Sequence, residues 1–134
     1  MATSPGWISQ AAAIPVRGGR VCLVTSSSGK RWVIPKGCME PGMTAGEVAL
    51  QEAWEEAGLV GTLSPEPVGS YLYEKAGLLC HVIVFLLNVT SAAEQWPEQP
   101  FRERSWLTFN QATSRLDDPG LQDILRAVAA RAAK

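Results

Sequence analysis

The stretch Gly37 to Leu59, GCMEPGMTAGEVALQEAWEEAGL, decides how the rest of the chain is read. Its second half carries helix signals at both ends. Thr44, followed three residues later by Glu47, fits a capping box in which hydroxyl and carboxylate satisfy orphan N–H groups reciprocally, and Gly58 is the natural stop. Projected at about 100° per residue, Ala49, Leu50, Ala53, Trp54 and Ala57 form one apolar stripe, with Glu52, Glu55 and Glu56 on the opposite side. Those acids carry a cost. Glu52 neighbours both of the others, at roughly 0.2–0.5 kcal/mol per like-charge pair, and the last turn of a helix favours cations. A divalent cation held by carboxylate oxygens would compensate, because hard oxygen ligands select magnesium, manganese or calcium over zinc. Taken alone, E-x-x-E-E fits a solvated acidic face as readily.

Outside this stretch the chain alternates strand and helix signals. Strands are expected at Ala11 to Val16, Val21 to Thr25 and Trp32 to Ile34, the last two joined by the hydrophilic turn Ser26 to Lys30. After the acidic helix come Pro67 to Glu74 and His81 to Val89, with Gly77 marking the turn between them; HVIVFLLNV is a continuous apolar run of the kind buried strands show. Ser91 to Pro100 is polar, contains Pro97 and Pro100, and reads as a surface loop before a strand near Arg104 to Leu107. A short helix is expected from Gln111 with Asn110 as cap. A longer one follows, capped by Asp118 with Pro119 in its first turn, and Leu121, Ile124, Leu125 and Val128 give it an amphipathic stripe. Pattern alone supports only an α plus β class. Trp32, Trp54 and Trp106 read as core or core-edge anchors, while Trp96 or Trp106 also suits stacking on a base.

Composition narrows the function classes. At 134 residues the chain is long enough for one domain with a sizeable core and too short for two. A formal charge of −1 and a pI near 5.8 give no global basic field, so no stable nucleic-acid complex is expected and any polyphosphate needs a local cluster. Cys22, Cys38 and Cys80 are odd in number and lack C-x-x-C spacing, which argues against a disulfide framework or zinc site and for a reducing compartment. His81 is the only histidine. A histidine triad or multi-histidine metal site is thereby excluded, and His81 is read either as a substrate contact or as a strand-end structural residue. The first residues show no basic region followed by a long apolar run, and nothing approaches a membrane span of about 20 apolar residues. A cytoplasmic protein, monomeric or homodimeric, is expected, with residues 1–6 as a short tail on a single domain.

The loop before the helix, Ile34-Pro35-Lys36-Gly37 and Glu40-Pro41-Gly42, completes a larger pattern. From Gly37 to Leu59 the sequence resembles the Nudix box, G-x5-E-x7-R-E-U-x-E-E-x-G-U with U a bulky apolar residue. Gly37, Glu52, Glu55, Glu56, Gly58 and Leu59 fall in register, and Ala53 is a small occupant of a U position. The resemblance implies an α/β/α sandwich, a mixed sheet flanked by helices. It also implies hydrolysis of a nucleoside diphosphate linked to another moiety, with Glu52, Glu55 and Glu56 as catalytic acids that hold magnesium, or manganese, together with Gly37. Met43 and Gln51 stand where the family has a glutamate and an arginine. Those two side chains are thought to pair and orient the acids in typical members. Losing both avoids the unpaired buried charge that losing one would leave.

Further runs are similar to the diphosphoinositol polyphosphate phosphohydrolases, which also cleave diadenosine polyphosphates: Arg31-Trp32-Val33-Ile34-Pro35, Met39-Glu40-Pro41, Gly61-Thr62-Leu63 and Arg102-Glu103-Arg104-Ser105-Trp106. The resemblance implies substrate contacts from Arg31, Lys36, His81, Arg102 and Arg104. It departs from the animal enzymes at Ile8-Ser9-Gln10, where those carry a basic cluster, and at His81, where they have arginine. Fewer fixed cations favour a small-molecule dinucleoside polyphosphate over an inositol pyrophosphate.

Overall fold

The computed structural model describes residues 7–132. The expected tail, 1–6, lies outside them. Eight strands and three helices follow in the order β1 (Trp7–Arg17), β2 (Arg20–Thr25), β3 (Trp32–Val33), β4 (Lys36–Cys38), α1 (Ala45–Ala57), β5 (Leu59–Leu63), β6 (Gly69–Lys75), β7 (Leu78–Ala92), β8 (Arg104–Thr108), α2 (Phe109–Arg115) and α3 (Pro119–Ala132). None of the helices described is long and apolar enough to cross a membrane.

The spine of the sheet is the parallel pair β1 and β7, in register from Trp7 with Leu79 to Val16 with Asn88. On the far edge of β7, β6 pairs with its first half and β5 with its second, both antiparallel. The free edge of β1 is shared in the same way. β2 pairs only with Val16 and Arg17, and β4 pairs with Gln10 to Ala12. Between those ladders the sheet divides. β2 continues beside β3 and β8, and the chain from Trp32 to Cys38 crosses from one half to the other.

Strand alternation sends successive side chains to opposite faces. Ala12, Ile14, Val21, Leu23, Val82 and Val84 pack with Leu116, Leu121 and Leu125 beneath α2 and α3. Ala11, Ala13, Cys22, Val24, Phe85 and Leu87 pack with Val48, Ala49, Ala53 and Ala57 of α1. A mixed sheet flanked by helices is therefore the architecture. The run of alanines in β1, all with 0% exposure, lets α1 lie close against the strand, so the acids of the helix sit low over the divided sheet edge.

Several expectations need correction. Leu50 and Trp54 are 38% and 40% exposed, whereas Glu56 is only 6% exposed, so α1 does not separate acids from core. Its buried face runs Val48, Ala49, Ala53, Glu56 and Ala57, turned by contacts that lie outside the helix. Lys36–Cys38 and Leu59–Leu63 are strands without an alternating pattern of their own, defined by backbone partners on β1 and β7. The cap of α2 is Thr108 rather than Asn110: its hydroxyl accepts from the Gln111 amide while the Gln111 side chain accepts from the Thr108 amide. β7 runs on to Ala92, which takes Ser91 and Ala92 out of the expected loop, and Gln99–Phe101 forms a single 3-10 turn.

Gly58 ends α1 with φ +66°, and a Cβ there would meet Trp96 at 2.8 Å. Gly58→Ala is expected to destabilise the protein by roughly 1–3 kcal/mol, from left-handed strain and displacement of Trp96. Urea denaturation would check this; a loss below about 0.5 kcal/mol, the range of neutral surface changes, would refute it.

Candidate active site

Three glutamates at the end of α1 need their helix terminus satisfied from elsewhere, since the last turn contains no basic residue. The polar segment after β7 does this. The Ala93 amide donates to the Gly58 carbonyl at 2.9 Å and the Glu98 amide to the Glu55 carbonyl at 3.0 Å. Trp96 Nε1 donates to the Glu56 carbonyl at 2.9 Å, and Arg104 Nη1 to the Ala57 carbonyl at 2.7 Å. Four successive carbonyls, orphaned by helix geometry, thus have partners, three in this strap and the fourth in Arg104 at the start of β8. Arg104 also lies 4.2 Å over the Trp96 ring, placing a fixed cation where the helix dipole favours one.

The carboxylates themselves are close-set. Glu52 and Glu56 perturb one another, and both are pushed above the ordinary carboxylate range, chiefly by burial. Glu56 reaches about 8, raised further by Glu52 and opposed by Arg102, whose Nη2 lies 3.8 Å from Glu56 Oε2. A Cβ on Gly37 would fall 2.6 Å from Glu52 Oε2. A side chain at this position would displace that carboxylate from β4. The arrangement fits a divalent cation by the chemistry of its donors, two carboxylates in one desolvated place beside a glycine strand. Among the described residues, no three acidic, histidine or cysteine side chains converge ready-made.

A cavity of about 360 Å³ opens at the division of the sheet. Glu56, Arg31, Lys36, Lys75, Arg102 and the hydroxyl-bearing turn Ser26 to Ser28 line it. Lys36 is desolvated, which lowers its pKa while Glu56 opposes the shift; its Nζ sits 5.3 Å over the Tyr73 ring. Tyr73 in turn donates to Gln10 Oε1 at 2.8 Å. Arg31 is exposed and pairs with Asp117 at 3.8 Å.

The cavity thus gathers Glu56, Arg31, Lys36 and Arg102 of the residues expected from sequence, with Glu52 and Gly37 adjoining Glu56. Arg104 caps α1 instead of lining it. His81 lies beside Trp7, ring centroids 5.8 Å apart, and neither it nor Glu55 lines the cavity. Sequence reasoning missed Gln10, Tyr73 and Glu98 as members of the site. No local signal marks them, since strand pairing and the strap bring them in. The two departures from the box also have partners: Gln51 Nε2 donates to Glu40 Oε2 at 3.2 Å, and Met43 packs against the core under α1.

The raised Glu56 carboxyl makes stability depend on pH. Between about 4.5 and about 8 the folded state keeps a proton that the unfolded chain has released, so stability falls as pH rises through that window, by at most about 1.4 kcal/mol per pH unit per group. Denaturation of metal-free protein is expected to show greater stability at pH 5.5 than at pH 8.5, and Glu56→Gln is expected to flatten the slope. An unchanged slope in that variant would sink the assignment.

The sequence profile of the family described as NUDIX domain matches residues 8–128. Among similar proteins, Nudix hydrolase 16, mitochondrial, of Arabidopsis thaliana is 33% identical over 114 residues, which cover 79% of this chain and 63% of that protein. Diphosphoinositol polyphosphate phosphohydrolase 3-beta of Bos taurus is 33% identical over 113 residues, covering 80% of this chain and 68% of that protein. The first plant relatives are longer: the match spans between 49% and 63% of their length. The fold matches that of a C. elegans Ap4A hydrolase, solved as a binary complex, with TM-score 0.77 at 22% identity, covering 94% of this chain and 98% of that one. With the profile matched over most of its length and these relatives beside it, the chain belongs to the NUDIX domain family.

Proposed function

We propose that the protein is a magnesium-dependent pyrophosphohydrolase that cleaves a dinucleoside polyphosphate. The observation that carries this reading is the cavity, which the buried Glu56 lines together with Arg31, Lys36, Lys75 and the Ser26 to Ser28 turn. A desolvated carboxyl and several cations lining one cleft suit an anionic chain whose cleavage needs a cation. The names of the bovine phosphohydrolase and the C. elegans hydrolase agree with hydrolysis of a phosphorylated substrate and differ in which, a diphosphoinositol polyphosphate for the first and Ap4A for the second.

Glu52, Glu55, Glu56 and the Gly37 carbonyl would hold the ion. When bound, a divalent ion at such a site neutralises charge on the bridging oxygens and acidifies a water. The chain's own residues supply the remainder. Desolvation of Glu56 strengthens its attraction for any cation, since electrostatic energies rise as the local dielectric falls. Lys36 and Arg31 hold the polyphosphate, Lys36 as a partly dehydrated point charge and Arg31 as a fork able to take two phosphate oxygens. The neutral Gln10 and Tyr73, held to each other, leave the cavity less basic than a densely phosphorylated inositol would require.

Mass spectrometry of products, with magnesium and with diadenosine polyphosphates, inositol pyrophosphates, nucleoside triphosphates and nucleotide sugars offered in parallel, tests the proposal. Glu56→Gln is expected to lower kcat by at least about 100-fold, on the scale of other lost catalytic groups, with folding intact; near-normal turnover in that variant would refute the metal assignment. Preference for an inositol pyrophosphate would overturn the substrate but leave the hydrolase. Arg31→Gln is expected to raise KM about 10-fold with little change in kcat, the signature of uniform binding; a kcat loss with unchanged KM would show that Arg31 acts in the transition state instead.

A further inference from the structure

We infer that Glu98 is a positioning residue for Glu56, acting through Arg102; this rests on the reading of Glu56 as an acid that holds a divalent ion. Glu98 is tied to α1 twice. Its backbone amide donates to the Glu55 carbonyl at 3.0 Å, and its side chain accepts from Arg102 Nε at 2.6 Å. Arg102 then closes the ring, with Nη2 at 3.8 Å from Glu56 Oε2. The path from Glu55 through Glu98 and Arg102 returns to the next residue of the same helix. Two independent connections from one residue to one helical turn fix the position of that turn more tightly than either alone.

The guanidinium has a closed seat. Its side chain is 11% exposed, Nη1 donates to the Thr25 carbonyl at 2.8 Å, and the Phe101 ring lies 5.9 Å from its central carbon. Thr25 is itself locked, its amide donating to the Glu103 carbonyl at 3.0 Å and its hydroxyl accepting from the Glu103 amide at 2.9 Å. The guanidinium therefore cannot follow Glu56 freely. At 3.8 Å it offers Coulomb attraction without a hydrogen bond, which leaves the Glu56 oxygen lone pairs open to another cation.

Glu98 makes that separation possible. With its carboxylate on Nε, Arg102 is held back from Glu56 and its charge is largely neutralised, so an incoming dication meets little repulsion. Without the Glu98 charge, Arg102 is unbalanced and loses the acceptor on Nε, so that Nη2 can turn onto Glu56 as a direct ion pair while Nη1 stays on the Thr25 carbonyl. It would then compete for the same oxygens. The effect of Glu98 is thus on cation affinity and turnover rather than on substrate contact.

The test uses the full chain, with magnesium and manganese titrated calorimetrically onto wild type, Glu98→Gln, Glu98→Asp and Arg102→Lys, each also assayed for kcat and KM. Glu98→Gln is expected to weaken ion binding and lower kcat by about 10 to 100-fold, the range for groups that aim a metal ligand, with KM nearly unchanged. Glu98→Asp should restore part of both, and Arg102→Lys, which keeps the charge but loses the fork, should resemble Glu98→Gln. Gln99→Ala removes a bond from Gln99 Nε2 to the Glu94 carbonyl in the same strap and should alter thermal stability alone. Ion affinity and kcat unchanged in folded Glu98→Gln would overturn the inference, as would a change confined to KM or a wild type that binds neither ion. If wild type binds an ion but cleaves none of the polyphosphates, the proposed activity fails while the Glu98 effect on ion affinity still stands or falls separately.

Discussion

Burial of the Glu56 carboxyl at the C-terminal end of α1 is the constraint on which the remaining structure depends. An acid there is opposed by desolvation, by the helix dipole and by Glu52, its neighbour one turn back. Each opposing effect is met by a distinct part of the fold. The strap after β7 supplies donors to the Glu55, Glu56 and Gly58 carbonyls, Arg104 bonds the Ala57 carbonyl and supplies the cation the dipole favours, and Arg102 supplies the nearest positive charge to the carboxylate. A segment that looks like an ordinary polar loop thus holds the acidic helix in place.

The second constraint is the shared edge of β1. Because β2 and β4 claim different halves of that strand, the sheet divides where side chains from both of its faces can reach one cavity. Gln10, Lys36 and Tyr73 come from the face under α3, and Glu56 comes from the helix over the other face. A continuous sheet would have kept them apart. Division also exposes backbone groups, and Ala13 recovers one bond across it by donating to the Pro35 carbonyl at 3.1 Å. This geometry gathers cations, hydroxyls and a desolvated acid around one cavity. A chain of formal charge −1 has no strong global field, so a polyphosphate would depend on this local cluster rather than on long-range steering.

The paired departures at Met43 and Gln51 fit the same picture. Met43 joins the apolar layer under α1 and Gln51 bonds Glu40 on the surface, so no charge is stranded when the usual glutamate and arginine are both absent. The ionic contacts of the acidic turn come instead from residues distant in sequence. Arg102 stands 46 positions after Glu56 in the numbering, and only the course of β7 and β8 makes them neighbours.

The sequence by itself determined the capped helix from Thr44 to Gly58, the three glutamates, the strand character of β1, β2, β7 and β8, and the family pattern. All of these are written in local spacing: a hydroxyl three residues before a carboxylate, a glycine at a left-handed stop, apolar runs of strand length. The tertiary structure decided which face of α1 is buried, because Leu50 and Trp54 lack a partner layer while Glu56 finds Arg102 and the strap. It also decided the existence of β4 and β5, whose short sequences have no period and become strands only through the backbone of β1 and β7. The membership of the cavity was decided in the same way. Periodicity reports how a segment divides polar from apolar surface, but whether a buried carboxylate is tolerated depends on charges and donors that arrive from elsewhere in the chain.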